Sequence, residues 1–161
     1  MIERDLADLA PPLRHRFIAR TQEILDSYRQ HLGHELIVRS GDAEDEACRL
    51  FAAPFAVLSH GFEADPVLNY GNALALQLWE MSADGLTRMA SRLTAEPMNQ
   101  AAREIFMQQT RAQGFATGYD GVRISASGRR FRIEDATLWN VADAPGAPSG
   151  QAATFARWTM L

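Results

Sequence analysis

Apolar and polar residues alternate at period two through the last quarter of the chain, in three runs separated by turn residues. Tyr119 to Ser125 is rich in β-branched and aromatic side chains, Ser127-Gly128 supplies a tight turn, and Arg129 to Val141 places Phe131, Ile133, Trp139 and Val141 at alternate positions. A loop from Asp143 to Gly150 leads into a last run, Gln151 to Trp158. Three consecutive strands in an antiparallel meander is the economical prediction.

Upstream the period changes to that of a helix. Pro11-Pro12 can open one and Gly33 can close it in a left-handed cap, and between them Leu13, Phe17, Ile24, Leu25, Tyr28 and Leu32 share one face. That stripe must be buried, either on the sheet of its own chain or against the same helix of a second copy. Asp42 is placed to cap a helix running to about Ala53, with Glu44, Asp45 and Glu46 in its first turn. After Pro54 the pattern predicts a strand over 55–61, a turn, and a hairpin partner over 67–70. Asn72 then caps a helix expected to bury Leu74, Leu78, Trp79 and Met81 and to end near Gly85. A further helix starts at Thr94 and Pro97, carries the stripe Met98, Ala102, Ile105 and Ala112, and stops at Gly114. The order predicts an α+β domain over 54–161, a five-stranded antiparallel sheet with helices on one face, preceded by a helical segment over 1–53 that packs on the core or dimerises it.

Charge and composition narrow the function. All 16 basic residues are Arg, which excludes Schiff-base, pyridoxal-phosphate and phosphate-loop lysine chemistry. The net charge of −4 argues against nucleic-acid binding, and Arg129, Arg130 and Arg132 read as a solvated strand face. The single cysteine, Cys48, is expected to be a buried inert thiol in a reducing compartment. No apolar run is long enough to span a bilayer and the start lacks a signal-peptide pattern, so a cytoplasmic protein without a membrane partner is expected.

Strand–strand–helices–strand–strand–strand is also the order of PAS domains, and Asn72 opening Asn-Ala-Leu-Ala-Leu-Gln-Leu-Trp-Glu-Met-Ser resembles the PAS pattern after the second strand. The stretches Leu-Ser-His-Gly (58–61), Ala-Asp-Pro-Val-Leu-Asn-Tyr-Gly-Asn (64–72), Leu-Thr-Ala-Glu-Pro-Met (93–98), Gln-Gly-Phe (113–115), Gly-Arg-Arg-Phe-Arg-Ile (128–133) and Leu-Trp-Asn-Val (138–141) resemble the MEKHLA domain. This PAS-like family is known at the C-terminus of plant class III homeodomain-zipper regulators and as small free-standing bacterial proteins, the type this chain resembles. The segment from Leu13 to Ala53 resembles the leader of the bacterial members. The resemblance implies a regulatory or sensory module; with neither homeodomain nor zipper in the sequence, DNA binding is not carried over.

PAS-like sheets can hold haem or flavin, but the helix over 98–113 has no His to ligate haem, Met98 and Met107 read as core residues, and Cys48 lies upstream of the domain. No cofactor is therefore expected. His31 and His34 fit a helix end, and no metal site can be placed around them. Alternation puts His60 on one side of its strand with Ala56 and Leu58, either as a satisfied core histidine or as a ligand contact. Asp135 and Thr137 would interrupt the apolar wall of Phe131, Ile133, Trp139 and Val141, as in a small-molecule pocket, unless a bulge turns them to solvent. The candidate ligand-binding residues are therefore His60, Asn72, Asp135, Thr137 and Trp139, with no catalytic residue. His60 and Asp135 as an acid–base pair of an enzyme is a weaker reading, since no catalytic motif accompanies them. A ligand sensor should show a cavity under the helices, whereas an interaction module should show a filled core and an exposed apolar strip. A homodimer in which the first helix supplies much of the contact is expected, the alternative being that the helix folds back on its own domain and closes the exposed sheet face.

Overall fold

The computed structural model describes residues 1–161. Helix α1 runs over Pro11–Leu32 and is closed by Gly33 at φ 82°. Helix α2 covers Ala43–Phe51, with the Asp42 side chain accepting from the backbone N–H groups of Glu44 and Asp45. Strands β1 (Ala56–His60) and β2 (Leu68–Gly71) form the first hairpin, and α3 (Ala73–Trp79), α4 (Ala83–Leu86) and α5 (Pro97–Gln113) follow. The chain ends with β3 (Phe115–Ile124), β4 (Arg130–Ala142), β5 (Pro148–Phe155) and β6 (Arg157–Met160). The sheet is antiparallel in the order β2-β1-β5-β4-β3. β6 continues β5 past Ala156 along the same neighbour, β4, so the single last strand expected from sequence is a broken one.

That break answers an irregularity in β4. Thr137 pairs with Thr154 and Glu134 with Arg157, and between them Asp135 takes a left-handed conformation at φ 54°. The insertion reverses which residues face which layer. Phe131, Ile133, Ala136 and Leu138 are buried on one side of it and Trp139 and Val141 belong to the other, so the uninterrupted wall predicted from period two does not exist.

Helices cover both faces. Trp79 of α3 packs edge-on against Phe131 and Phe155, on the side that α3, α4 and α5 cover. On the opposite side Trp139 meets Tyr28 of α1 edge-on at 4.9 Å and donates its indole N–H to Ser27 Oγ at 3.1 Å. Phe17 stacks on Tyr70 and Phe51. The α1 stripe is thus used within one chain: Leu13, Phe17, Ile24, Leu25 and Tyr28 join the same core cluster as the sheet, which leaves little apolar surface there for a dimer seam.

Two helical faces differ from expectation. α3 buries Ala75, Leu76 and Trp79, while Leu74, Leu78 and Met81 are only half-buried, because the helix stops at Glu80 in a left-handed cap. α5 turns Arg103, Met107 and Thr110 inward and leaves Met98, Ala102, Ile105 and Ala112 exposed, the reverse of the predicted stripe. Cys48 is exposed, since α2 commits Ala47, Leu50 and Phe51 to the core. Partial desolvation by its neighbours, and then the surrounding carboxylates of Glu44, Asp45 and Asp42, raise its thiol pKa.

Candidate ligand-binding site

Between the sheet and α5 lies an open cleft of about 700 Å³, bordered by the β1–β2 loop, α5 and the ends of β4 and β5. Beneath it, under α3 and α5, is a smaller chamber of about 60 Å³ walled by Leu58, Trp79, Ile133, Leu138 and Phe155. Five residues border both spaces: His60, Ser91, Arg103, Met107 and Gln151.

The strand register builds this throat. His60 ends β1 directly opposite Gln151 on β5, and alternation sends both side chains to the α5 side. Gly150 lets the strands approach so closely: a Cβ there would lie 1.9 Å from the His60 carbonyl oxygen, and its φ of 128° is one that L side chains rarely adopt. The Gly61 carbonyl, 2.9 Å from His60 Nδ1, can only accept, so Nδ1 carries the ring proton and Nε2 is left as an acceptor. Burial, helped by the charges of Arg103 and Arg20, holds the imidazole pKa below the ordinary histidine value despite the Gly61 bond. Gln151 donates to the Met107 carbonyl at 3.0 Å and to Asn140 Oδ1 at 3.2 Å. His60 Nε2 and Gln151 Oε1 are both buried and lie close enough for Gln151 to act on the imidazole pKa, but with the ring proton on Nδ1 both atoms are acceptors, so neither satisfies the other. Two orphan acceptors in one throat are unusual, because burying a polar atom unpaired costs about 1–3 kcal/mol.

The five predicted site residues separate. Only His60 lines the throat. Asn72 is fully spent as a structural clamp: Oδ1 accepts from Val57 N–H and Ala75 N–H, and the amide donates to the Leu50 and Phe55 carbonyls. Those four bonds fill its capacity and tie α2, β1 and α3 together. Asp135, at the β4 irregularity, is exposed and 3.6 Å from Arg157. Thr137 is half-buried away from both spaces, and Trp139 lies under α1 on the other face of the sheet. Arg103 and Gln151 were missed because an arginine in a helix and a glutamine opening a strand carry no local sign of burial. The one available signal was the position of Gln151 opposite His60, which requires the strand pairing to be known.

No group of three or more His, Cys, Asp or Glu could hold a metal ion. The only cysteine lies exposed on α2, outside both the cleft and the chamber.

With the geometry in place, solved structures give the fold. The PAS domain of a protein from Colwellia psychrerythraea is similar at TM-score 0.55 and 13% identity, covering 63% of this chain and 84% of that one. A blue-light activated histidine kinase from Erythrobacter litoralis is similar at TM-score 0.55 and 14% identity, covering 67% of this chain and 33% of that one. Among curated proteins, the homeobox-leucine zipper protein HOX29 of Oryza sativa subsp. indica is 29% identical over 143 residues, and HOX9 of the same subspecies 26% over 139. Each alignment covers 86% of this chain but spans only 16% of the relative's length. Residues 18–160 match the MEKHLA domain, a stretch that begins inside α1 and ends in the last strand. The protein therefore belongs to the MEKHLA domain family, built on a PAS-type fold.

Proposed function

We propose that this chain is a non-enzymatic sensory or regulatory module that binds a small molecule between the sheet and α5. The observation that carries the reading is the throat itself, where a cleft meets an apolar chamber and His60 Nε2 and Gln151 Oε1 await a donor. Its PAS-type relatives include a domain within a light-activated histidine kinase, which supports a signalling role.

A route for the signal is also present. Arg20 of α1 donates to the His60 carbonyl at 3.0 Å, to Ser59 Oγ at 3.1 Å and to Ser149 Oγ at 2.8 Å, so the strand end that carries the pocket imidazole is bonded to the helix across the sheet. A ligand that favours one position of His60 then biases the docking of α1. The test is a fragment screen by two-dimensional NMR on the full chain. Binders should shift resonances of His60, Gln151 and Trp79 together, with a smaller response at Arg20; a library of several hundred polar and apolar fragments that leaves these signals unmoved would refute the reading.

A further inference from the structure

Three arginines are buried: Arg20, Arg103 and Arg123. Arg20 has its counter-ion, Glu23 at 2.8 Å. Arg103 and Arg123 have no carboxylate within 4.0 Å, whereas every other arginine without an ion pair is at least partly exposed. Arg103 spends a single N–H, donated to Ser91 Oγ at 2.5 Å, out of the five a guanidinium carries. Arg123 donates to the Val122 carbonyl and the Tyr119 hydroxyl and lies over the Tyr119 ring, all neutral groups. Both border the chamber that the throat opens into. Burial first, and then the like charge of Arg123, bring the Arg103 pKa down to about 10, which leaves the Arg103 guanidinium charged at neutral pH.

Two uncompensated cations in one cavity are costly unless something anionic joins them. The helix that carries Arg103 is further evidence that its position is not incidental. α5 leaves Met98 75% and Ile105 58% exposed while it buries an arginine, an inversion of the usual amphipathic order. Such inversions concentrate at functional sites.

Resting on the ligand-sensing reading above, we infer that the ligand is a small organic carboxylate bearing a hydroxyl or ammonium group. Its carboxylate pairs with Arg103, with Arg123 adding charge from the chamber wall. Its second group donates to the two orphan acceptors, His60 Nε2 and Gln151 Oε1, and any short apolar portion rests against Trp79 and Leu138. Each unpaired polar atom of the throat then has a partner of opposite hydrogen-bonding sense. A phosphate would meet the arginines equally well, but the chamber's apolar walls favour a carbon-bearing acid.

The experiment titrates the full chain with a panel of two- to six-carbon 2-hydroxy and 2-amino carboxylates, read by the NMR signals of His60 and Gln151. The same acids as neutral amides, the same acids lacking the hydroxyl or amine, and inorganic phosphate serve as controls. At least one substituted acid should bind, its amide and its unsubstituted form at least about tenfold more weakly, and phosphate more weakly still. Arg103→Gln should weaken the acid by a similar factor while leaving the chain folded; if that variant does not fold, the acid-against-amide comparison on the unaltered chain decides alone. Amides that bind as well as acids, an acid whose affinity Arg103→Gln leaves unchanged, or phosphate as the tightest binder would overturn the carboxylate assignment while leaving a pocket for other ligands. Silence from the whole panel alongside hits among neutral fragments also overturns it, and silence from both overturns the sensing reading too.

Discussion

At the scale of single residues, the side chains that matter most are those whose polarity conflicts with their burial. Glu46 is one. It lies in the acidic run that opens α2, yet its carboxylate turns inward, where it accepts from Gln22 Nε2 and from the N–H groups of Gly41 and Ser40 and lies 3.1 Å from Arg39. Those partners, Gln22 foremost, bring its pKa from 4.5 down to about 2 against the opposing effect of burial. A folded pKa below the unfolded one means the unfolded chain takes up the proton first, so the stabilisation is complete above about pH 4.5 and is lost as pH falls towards 2. The melting temperature should therefore decline across that window, and Glu46→Gln should lower it at pH 7 while flattening the decline; parallel curves for the two proteins would show that Glu46 is not the responsible group. His60 acts in a separate window. Its lowered pKa removes stability as pH falls through the ordinary histidine range near 6.5, which keeps the two contributions distinguishable.

At the scale of elements, α1 is the piece whose role sequence left open. Its apolar stripe is legible at helical spacing, but a stripe does not say which surface covers it. The decisive contacts are long-range: Trp139 on Ser27 and Tyr28, Phe17 on Tyr70, and the Arg20 bonds to β1 and to Ser149 at the start of β5. Arg20→Met keeps much of the volume and removes the Arg20 bonds to Ser59, His60 and Ser149. Because each charge-assisted hydrogen bond is worth about 1.5–3 kcal/mol and the set acts together, the variant should lose more than about 2 kcal/mol in urea unfolding. Hydrogen exchange should quicken in α1 ahead of β3 and β4. A loss under about 0.5 kcal/mol would show the helix to be held by its apolar face alone. The reversed face of α5 belongs to the same scale: Met98 and Ile105 mark the stripe expected from helical spacing, and the sheet selects Arg103, Met107 and Thr110 instead.

For the whole molecule, the sheet separates two half-cores. Trp79 is 1% exposed among Phe131 and Phe155 on one side, and Trp139 is 0% exposed against α1 on the other. Replacing either by Ala should cost about 3–5 kcal/mol. Because the two rings pack into different layers, the double variant should approach the sum. A coupling above about 1 kcal/mol would mean that the layers relax as one. Only Trp79 borders the ligand chamber, so Trp79→Ala should also disturb binding of an acid at the throat, whereas Trp139→Ala should act through stability.

The sequence by itself determined the elements and their order, because the signals are local: Pro11-Pro12 and Gly33 bound α1, Asp42 and Asn72 cap their helices with side-chain oxygens, and Ser127-Gly128 turns β3 into β4. It also grouped His60 with Leu58 on one side of β1, and both border the chamber, since alternation in a short regular strand is dependable. The tertiary structure decided the site. One left-handed residue, Asp135, shifts the phase of β4, sending Trp139 to the far layer and leaving Asp135 in solvent, and no periodicity in the sequence marks where that phase changes. Gln151 became a site residue by pairing with His60 and donating to the Met107 carbonyl 44 residues away, and Arg103 by bordering the same throat, contacts that exist only once the strands and α5 are assembled. Local propensity fixes which segments are helix or strand; which of their faces meets a cavity is set by contacts between segments, and only the folded chain contains those.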